Sequence, residues 1–236
     1  SGSSRMSETS SATTTAIGIA VGVDGKATVD AKSEAKADAG GIDLGAGNDT
    51  VTNTGTIEAV ADSTATAIGV ALGPKGGTQG GGTTQSAAAT PAESPALEST
   101  IEASADSKAS AVGISADGLA AATSQALKLQ IGGGPSFLTF DKTSTRAIGS
   151  DDVTNSGTIS AAATAISRAF DFSLTQDGKA AIKAESTADA SAAGIDLGGG
   201  NDTLESTAGT VTATADATAR ALSLAIGVKS DSTAKS

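Results

Sequence analysis

The chain has no cysteine, histidine, tryptophan or tyrosine. Without cysteine it builds neither a disulfide scaffold nor a thiolate metal site. Without histidine or cysteine it lacks the side chains that usually serve as base or nucleophile near neutral pH, so a nucleophilic-hydrolase arrangement has no base. Without tryptophan or tyrosine it lacks the aromatic platforms that sugar sites favour. Phe137, Phe140, Phe170 and Phe172 are the only aromatics, and large apolar side chains of the kind that fill an ordinary core are scarce. Positive charge is short as well: 15 Lys and Arg stand against 26 Asp and Glu, a net charge of −11. That balance argues against nucleic acid and anionic membrane as partners, because both need a positive footprint. It suits cation binding. No apolar run is long enough to span a bilayer, and no signal peptide is visible.

What fills the 236 residues is Ala, Gly, Ser and Thr. Such a composition suits a disordered chain or a repeat fold in which small residues stack closely. Periodicity decides between them. Six segments share one template, T-(I/V)-x-A-x-(A/S)-x-(A/S)-x-A, with the strong aliphatic at Val29, Ile57, Ile101, Ile159, Ile182 and Val211. A weaker copy runs from Met6 to Ile19, and a degenerate one ends at Ala126-Leu127-Lys128-Leu129. Ala or Ser recurs at every second position after the aliphatic, with Glu, Asp, Lys, Thr and Arg between. That is the period of a β-strand. Alanine favours helix, but a helical period would scatter the charges over every face.

Near the end of each unit the apolar parity shifts, at Ile17, Ile19 and Val21, at Ile68, Val70 and Leu72, and at Leu222, Leu224 and Ile226. A strand that keeps its apolar side inward must bend where parity flips. The pattern therefore predicts a corner and a second wall, so that each unit is one coil. The expected fold is all-β, a parallel β-helix (β-solenoid) of about 7–8 coils, on the order of 40 Å tall. Asp24 to Thr50 matches Asp177 to Thr203 at an offset of 153, and Met6 to Ile57 spans 51, which points to duplication of a two-unit block. Residues 1–5 read as a disordered remnant, 6–228 as one solenoid domain interrupted by loops at 73–97 and 132–146, and 229–236 as a flexible tail. The sequence reads as a piece of a longer protein, with no obvious polar cap at either end.

The segment G41-I-D-L-G-A-G-N-D-T-V-T-N-T-G-T-I57 returns as G194-I-D-L-G-G-G-N-D-T-L204 and, shortened, as G149-S-D-D-V-T-N-S-G-T-I159. Its V-T-N-T-G-T-I part resembles the coil turns of bacterial β-helical surface proteins, the autotransporter passengers and filamentous-haemagglutinin-type adhesins. The resemblance implies a right-handed parallel β-helix, extracellular or at the cell surface, used for adhesion or display. Locally, G45-A-G-N-D-T-V51 and G198-G-G-N-D-T-L204 are similar to the RTX calcium repeat. Matched position by position, Asp49 and Asp202 take that family's aspartate, and Asp43, Asp196 and Asp151 are further candidate oxygen donors, because calcium takes six to eight hard oxygens. The chain departs from the RTX pattern in having Leu44 or Leu197 at the first glycine and in lacking tandem turns. The same residues equally describe a tight turn, with glycine and Asn-Asp tolerating left-handed geometry. Asn53 and Asn155 fit an inward ladder of amides at a turn.

Two further classes can be weighed. A polysaccharide-acting β-helix enzyme of the pectate-lyase kind would use Asp, Arg and Lys in a cleft. Arg146, Arg168, Asp151, Asp152 and Asp171 share one region with the four Phe residues, and a hydrophobic plug explains the same cluster. An ice-binding face would need an uncharged Thr array, whereas Glu58, Asp62, Glu102, Asp106, Lys108 and Arg220 are placed by parity with Thr64, Thr66, Thr212, Thr214 and Thr218. The expectation is a structural or adhesive module without enzymatic activity. It associates with itself end to end or with other surface proteins or polysaccharide, inserts in no membrane, and is stabilised by calcium if Asp43, Asp49, Asp151, Asp196 and Asp202 bind it. A calcium-stabilised carbohydrate-binding module is the alternative outside catalysis.

Overall fold

A computed structural model describes residues 4–21, 27–45, 47–73, 98–115, 127–129, 138–140, 149–175, 179–227 and 231–235. In chain order the strands are β1 (Arg5–Val21), β2 (Ala27–Asp43), β3 (Thr50–Asn53), β4 (Thr56–Gly73), β5 (Glu98–Ser115), β6 (Leu127–Leu129) and β7 (Leu138–Phe140). They continue with β8 (Asp152–Asn155), β9 (Thr158–Thr175), β10 (Lys179–Asp196), β11 (Thr203–Ser206), β12 (Thr210–Gly227) and β13 (Asp231–Lys235). Sheet A has the order β1-β4-β9-β12, sheet B the order β13-β10-β5-β2, and the short sheet C the order β11-β8-β3. All three are parallel. The chain passes from A to B to C and back to A, so the fold is a parallel β-helix.

Each sequence repeat is one wall, not one coil. Two consecutive repeats and a sheet C strand complete a turn, and the chain traces three coils and enters a fourth. The expected seven or eight coils thus become eight long or partial walls. An 18-residue strand is about 60 Å long at about 3.3 Å per residue, and four strands at about 4.8 Å stack only about 14 Å between outermost backbones. The solenoid is broad and low, not 40 Å tall.

The reason is that the expected corner is absent from sheet A. Along β4 burial alternates without a break from Ile57 through Ala71. Ile68, Val70 and Leu72 therefore lie on the outer face. A parity shift does occur, but in sheet B. Ala39 and Ala111 are buried on one parity, while Ile42 and Ile114 join Ile57, Ile159 and Val153 in a cluster on the other. The switch runs through Gly41, Gly113 and Gly194. A Cβ on Gly113 would stand 2.4 Å from the carbonyl oxygen of Gly194, a close approach only glycine permits.

A second rule governs the interior. The aliphatic of a repeat is followed twelve positions later by glycine: Met6–Gly18, Val29–Gly41, Ile57–Gly69, Ile101–Gly113 and Ile182–Gly194. Facing walls run in opposite directions, so the aliphatic of one wall lands on the glycine of the wall before it at five junctions. A Cβ on Gly18 would meet Val29 Cγ1 at 2.4 Å, one on Gly41 Ile57 Cγ2 at 2.4 Å, and one on Gly69 Ile101 Cγ2 at 2.5 Å. Gly113 and Gly194 repeat the relation with Ile159 at 2.4 Å and Val211 at 2.3 Å. Between these knobs the two sheets meet through alanine, close enough for serines to bond across. Ser63 Oγ donates to the Ala35 carbonyl at 2.8 Å and Ser167 Oγ to the Ala105 carbonyl at 2.7 Å. Ser107 and Ser186 donate in turn to Ser63 and Ser167. Paired in this way, buried hydroxyls escape the cost of desolvation.

Three other expectations change. The degenerate copy at 126–129 contributes β6, which pairs antiparallel with β7 and not with the solenoid. Asp231–Lys235, expected as tail, pairs with β10. The loop expected at 73–97 overlaps β4 by one residue, since Gly73 is the last residue of that strand. The rest of that loop, and 132–146 apart from β7, lie outside the described residues. On the edge strand β1, Glu8 occupies an inward register opposite Ala59 and is exposed. An inward-register charge on an edge strand discourages uncontrolled pairing.

Candidate functional site

Sheet C and its turns gather the residues that the sequence singles out. Gly45 and Gly198 have φ of 79° and 72°, a left-handed backbone that glycine adopts without strain. Asp43 and Asp196 cap these turns, each accepting the amide of the residue two on, Gly45 or Gly198, at 3.0 Å. They are turn-formers facing their own backbone.

Asp49, Asp151 and Asp202 instead form a column, one per coil. The Asp49 amide donates to Asp151 Oδ1 at 2.9 Å, and the Asp151 amide donates to Asp202 Oδ1 at 3.0 Å. Asp151 is 2% exposed. The Oδ2 atoms of Asp49 and Asp151 are buried without a partner. Beside this column runs the amide ladder that the sequence predicts. Asn53 Nδ2 donates to Asn155 Oδ1 at 2.9 Å, and the two Oδ1 atoms accept the amides of Gly55 and Gly157. The next position up is Ser206, paired in register with Asn155, and Asn155 Nδ2 is left buried and unpartnered.

The unpaired Oδ2 atoms would welcome a cation. The donor set as a whole fits calcium poorly, because Asp43 and Asp196 are engaged in their own turns. Among the described residues no three acidic side chains converge on one point. The column is a backbone-binding ladder first.

The cluster weighed as an enzyme cleft is dispersed. Arg168 is exposed on the outer face of β9, while Asp171, three residues on, is fully buried on the inner face. Asp152 opens β8 of sheet C and Asp151 precedes it, beyond the opposite end of that wall. Phe170 and Phe172 point outward, so they plug nothing. Arg146, Phe137 and the side chain of Phe140 lie outside the described residues. Asp171 takes the position, twelve after Ile159, that glycine holds in other walls. Its Oδ2 accepts the Ala103 amide at 3.2 Å and its Oδ1 is buried without a partner. Burial pushes its carboxyl up to about 6; the Ala103 bond opposes the rise and Glu102 adds to it.

The two broad outer faces differ in chemistry. Sheet B presents Asp30, Lys32, Glu34, Lys36 and Asp38 on β2 alone, with Glu102, Asp106, Lys108, Lys183, Glu185 and Asp189 on its neighbours. Ion pairs cross this face, Lys183 with Glu102 and Glu185, and Lys36 with Asp38. They hold both lysines above the ordinary range, by a hydrogen bond to Glu185 and to Asp38 respectively. The outer face of sheet A carries Ser and Thr over most of its length. Toward the C-terminal ends of its strands come three apolar columns: Ile17–Ile68–Phe170–Leu222, Ile19–Val70–Phe172–Leu224 and Val21–Leu72–Leu174–Ile226. Ile19 is 69% exposed and Leu222 57%. Of the charges that parity had placed among the threonines, Glu102, Asp106 and Lys108 belong to sheet B, while Glu58, Asp62 and Arg220 share sheet A with Thr64, Thr66 and Thr218. Sequence parity identifies inward and outward positions but not which of two sheets a repeat enters.

Comparison with known proteins gives no match: no family model, no curated protein and no solved structure aligns with the chain. No helix among the described residues is long and apolar enough to cross a membrane.

Proposed function

We propose that this chain is a structural β-solenoid module of a bacterial surface or secreted protein, built to extend by stacking coil on coil and to present broad faces for adhesion. The observation that supports this best is the coil plan. The glycine–aliphatic contacts, the Asn53–Asn155 ladder and the Asp column each connect one coil to the next, and the stack begins and ends on open parallel strands, β1 and β2 at one end and β12 and β13 at the other. Open edges of this kind can receive a further copy in place of a further coil. Arg168, Asp171 and Asp151 lie apart and not around one cleft, which weighs against a polysaccharide-acting enzyme built on them. Calcium enters this reading only as a neutraliser of the Asp49–Asp151–Asp202 column.

Negative-stain electron microscopy across a concentration series tests the stacking. Rods that lengthen with concentration are expected. Short particles of one size at the highest concentration would defeat end-to-end assembly.

A further inference from the structure

We infer that the outer face of sheet A is a self-association surface, which a second copy covers face to face about a two-fold axis parallel to the strands. This goes beyond end-to-end stacking and does not depend on it.

The apolar block of three columns is the starting point. Three columns at about 6.6 Å and four strands at about 4.8 Å cover roughly 400 Å², the size at which an exposed apolar patch marks an interaction site. Against a second block it would bury only about 800 Å² in total, less than the 1,200–2,000 Å² of a stable interface. The whole face, about 60 Å by about 19 Å, exceeds that range when both copies contribute. A stable pair therefore has to use the Ser/Thr region too.

The charge pattern of that region selects the arrangement. An axis along the strands sets β1 against β12 and β4 against β9 of the other copy, in the same column. Apolar then meets apolar: Ile68 faces Phe170, Val70 faces Phe172 and Leu72 faces Leu174. On the outer rows Ile17 faces Leu222 and Ile19 faces Leu224. Every charge of the face meets a hydroxyl residue. Arg5 faces Thr210, Glu58 faces Ser160 and Asp62 faces Thr164. Arg168 faces Thr66, Asp216 faces Ser11 and Arg220 faces Thr15. No like charges oppose one another, a pairing that would otherwise destabilise the contact. The charged outer face of sheet B offers no comparable apolar block, so the partner surface is sheet A itself, an isologous contact that closes on two copies.

Sedimentation equilibrium on the full chain tests this. The expected result is a monomer–dimer equilibrium at concentrations below those at which rods lengthen. Phe172→Asp, outward on an interior strand and so harmless to stacking at the edges, should weaken it at least 100-fold with an unchanged circular dichroism spectrum. Ser104→Asp on the opposite face should leave it unaltered. Thr66→Glu, which sets a carboxylate opposite Arg168 of the other copy, should tighten it several-fold. The inference is overturned if the protein stays monomeric at 100-fold the concentration used for spectroscopy, with or without binding lipid vesicles. It is overturned equally if the dimer survives Phe172→Asp or is lost with Ser104→Asp. Weakening by Thr66→Glu overturns the alignment.

Discussion

Val29 sets its Cγ1 methyl 2.4 Å from the point where a Cβ on Gly18 would stand. One wall's hole is filled by the next wall's knob, and the spacing of twelve within a repeat keeps this true at five of the six junctions between long walls. Gly18→Ala must push Val29, itself only 5% exposed, out of its packed position. The expected loss is about 1–3 kcal/mol, read from denaturant unfolding. Combining it with Val29→Ala should cost less than the sum of the two single changes, because the shortened partner vacates the space.

Asp171 breaks the same rule. Its carboxyl is raised to about 6 by burial, above the ordinary value near 3.8 that the unfolded chain retains. Between those values the folded state holds more protons than the unfolded one, so stability falls as pH rises from about 4 to about 6 and stays low above. Asp171→Gly restores the residue found in five of the other walls. It should stabilise the protein at pH 7.5, by on the order of 2 kcal/mol, and flatten the profile between pH 4 and 6. Thermal melts across pH check both; an unchanged slope between pH 4 and 6 would show that Asp171 does not carry the effect.

The amide ladder stops at Asn155, whose Nδ2 is buried without a partner below Ser206. Ser206→Asn offers that donor an acceptor and should add about 1 kcal/mol. Chemical denaturation of the single variant is sufficient, and a loss of stability would mean that the ladder cannot extend into the third coil.

The Asp column gives a test for calcium. If the ion neutralises Asp49 and Asp151, millimolar calcium raises the melting temperature relative to chelator, and Asp151→Asn abolishes the difference while keeping the acceptor for the Asp49 amide. An equal melting temperature in calcium and chelator removes the ion from the account. An equal response in wild type and Asp151→Asn places its site elsewhere.

Much of this architecture was legible in the chain. Period-two alternation gave parallel strands, Asn53 and Asn155 gave the ladder, and the 51-residue offset gave pairing of repeats. The size of the coil is not legible, because hydrophobicity sends Ile68, Val70 and Leu72 inward while their parity sends them outward. The structure follows parity and leaves them on the outer face. The signal that would have settled the matter is the interval from Ile57 to Gly69. A knob and a hole twelve residues apart on one strand can be satisfied only by a facing strand of equal length running the other way. The Asp column was not legible, since Asp151 sits in a shortened turn and joins Asp49 and Asp202 only once three coils are stacked.

The handing of each aliphatic to the preceding glycine has an evolutionary corollary. Walls alternate between two sheets, so the molecule counts in twos. Gain or loss of a single repeat would send every later wall to the opposite sheet, breaking the apolar columns of one face and scattering lysines and aspartates among the hydroxyls. Only a pair leaves both faces intact, and length can then be inherited in increments of one coil without redesign of either surface.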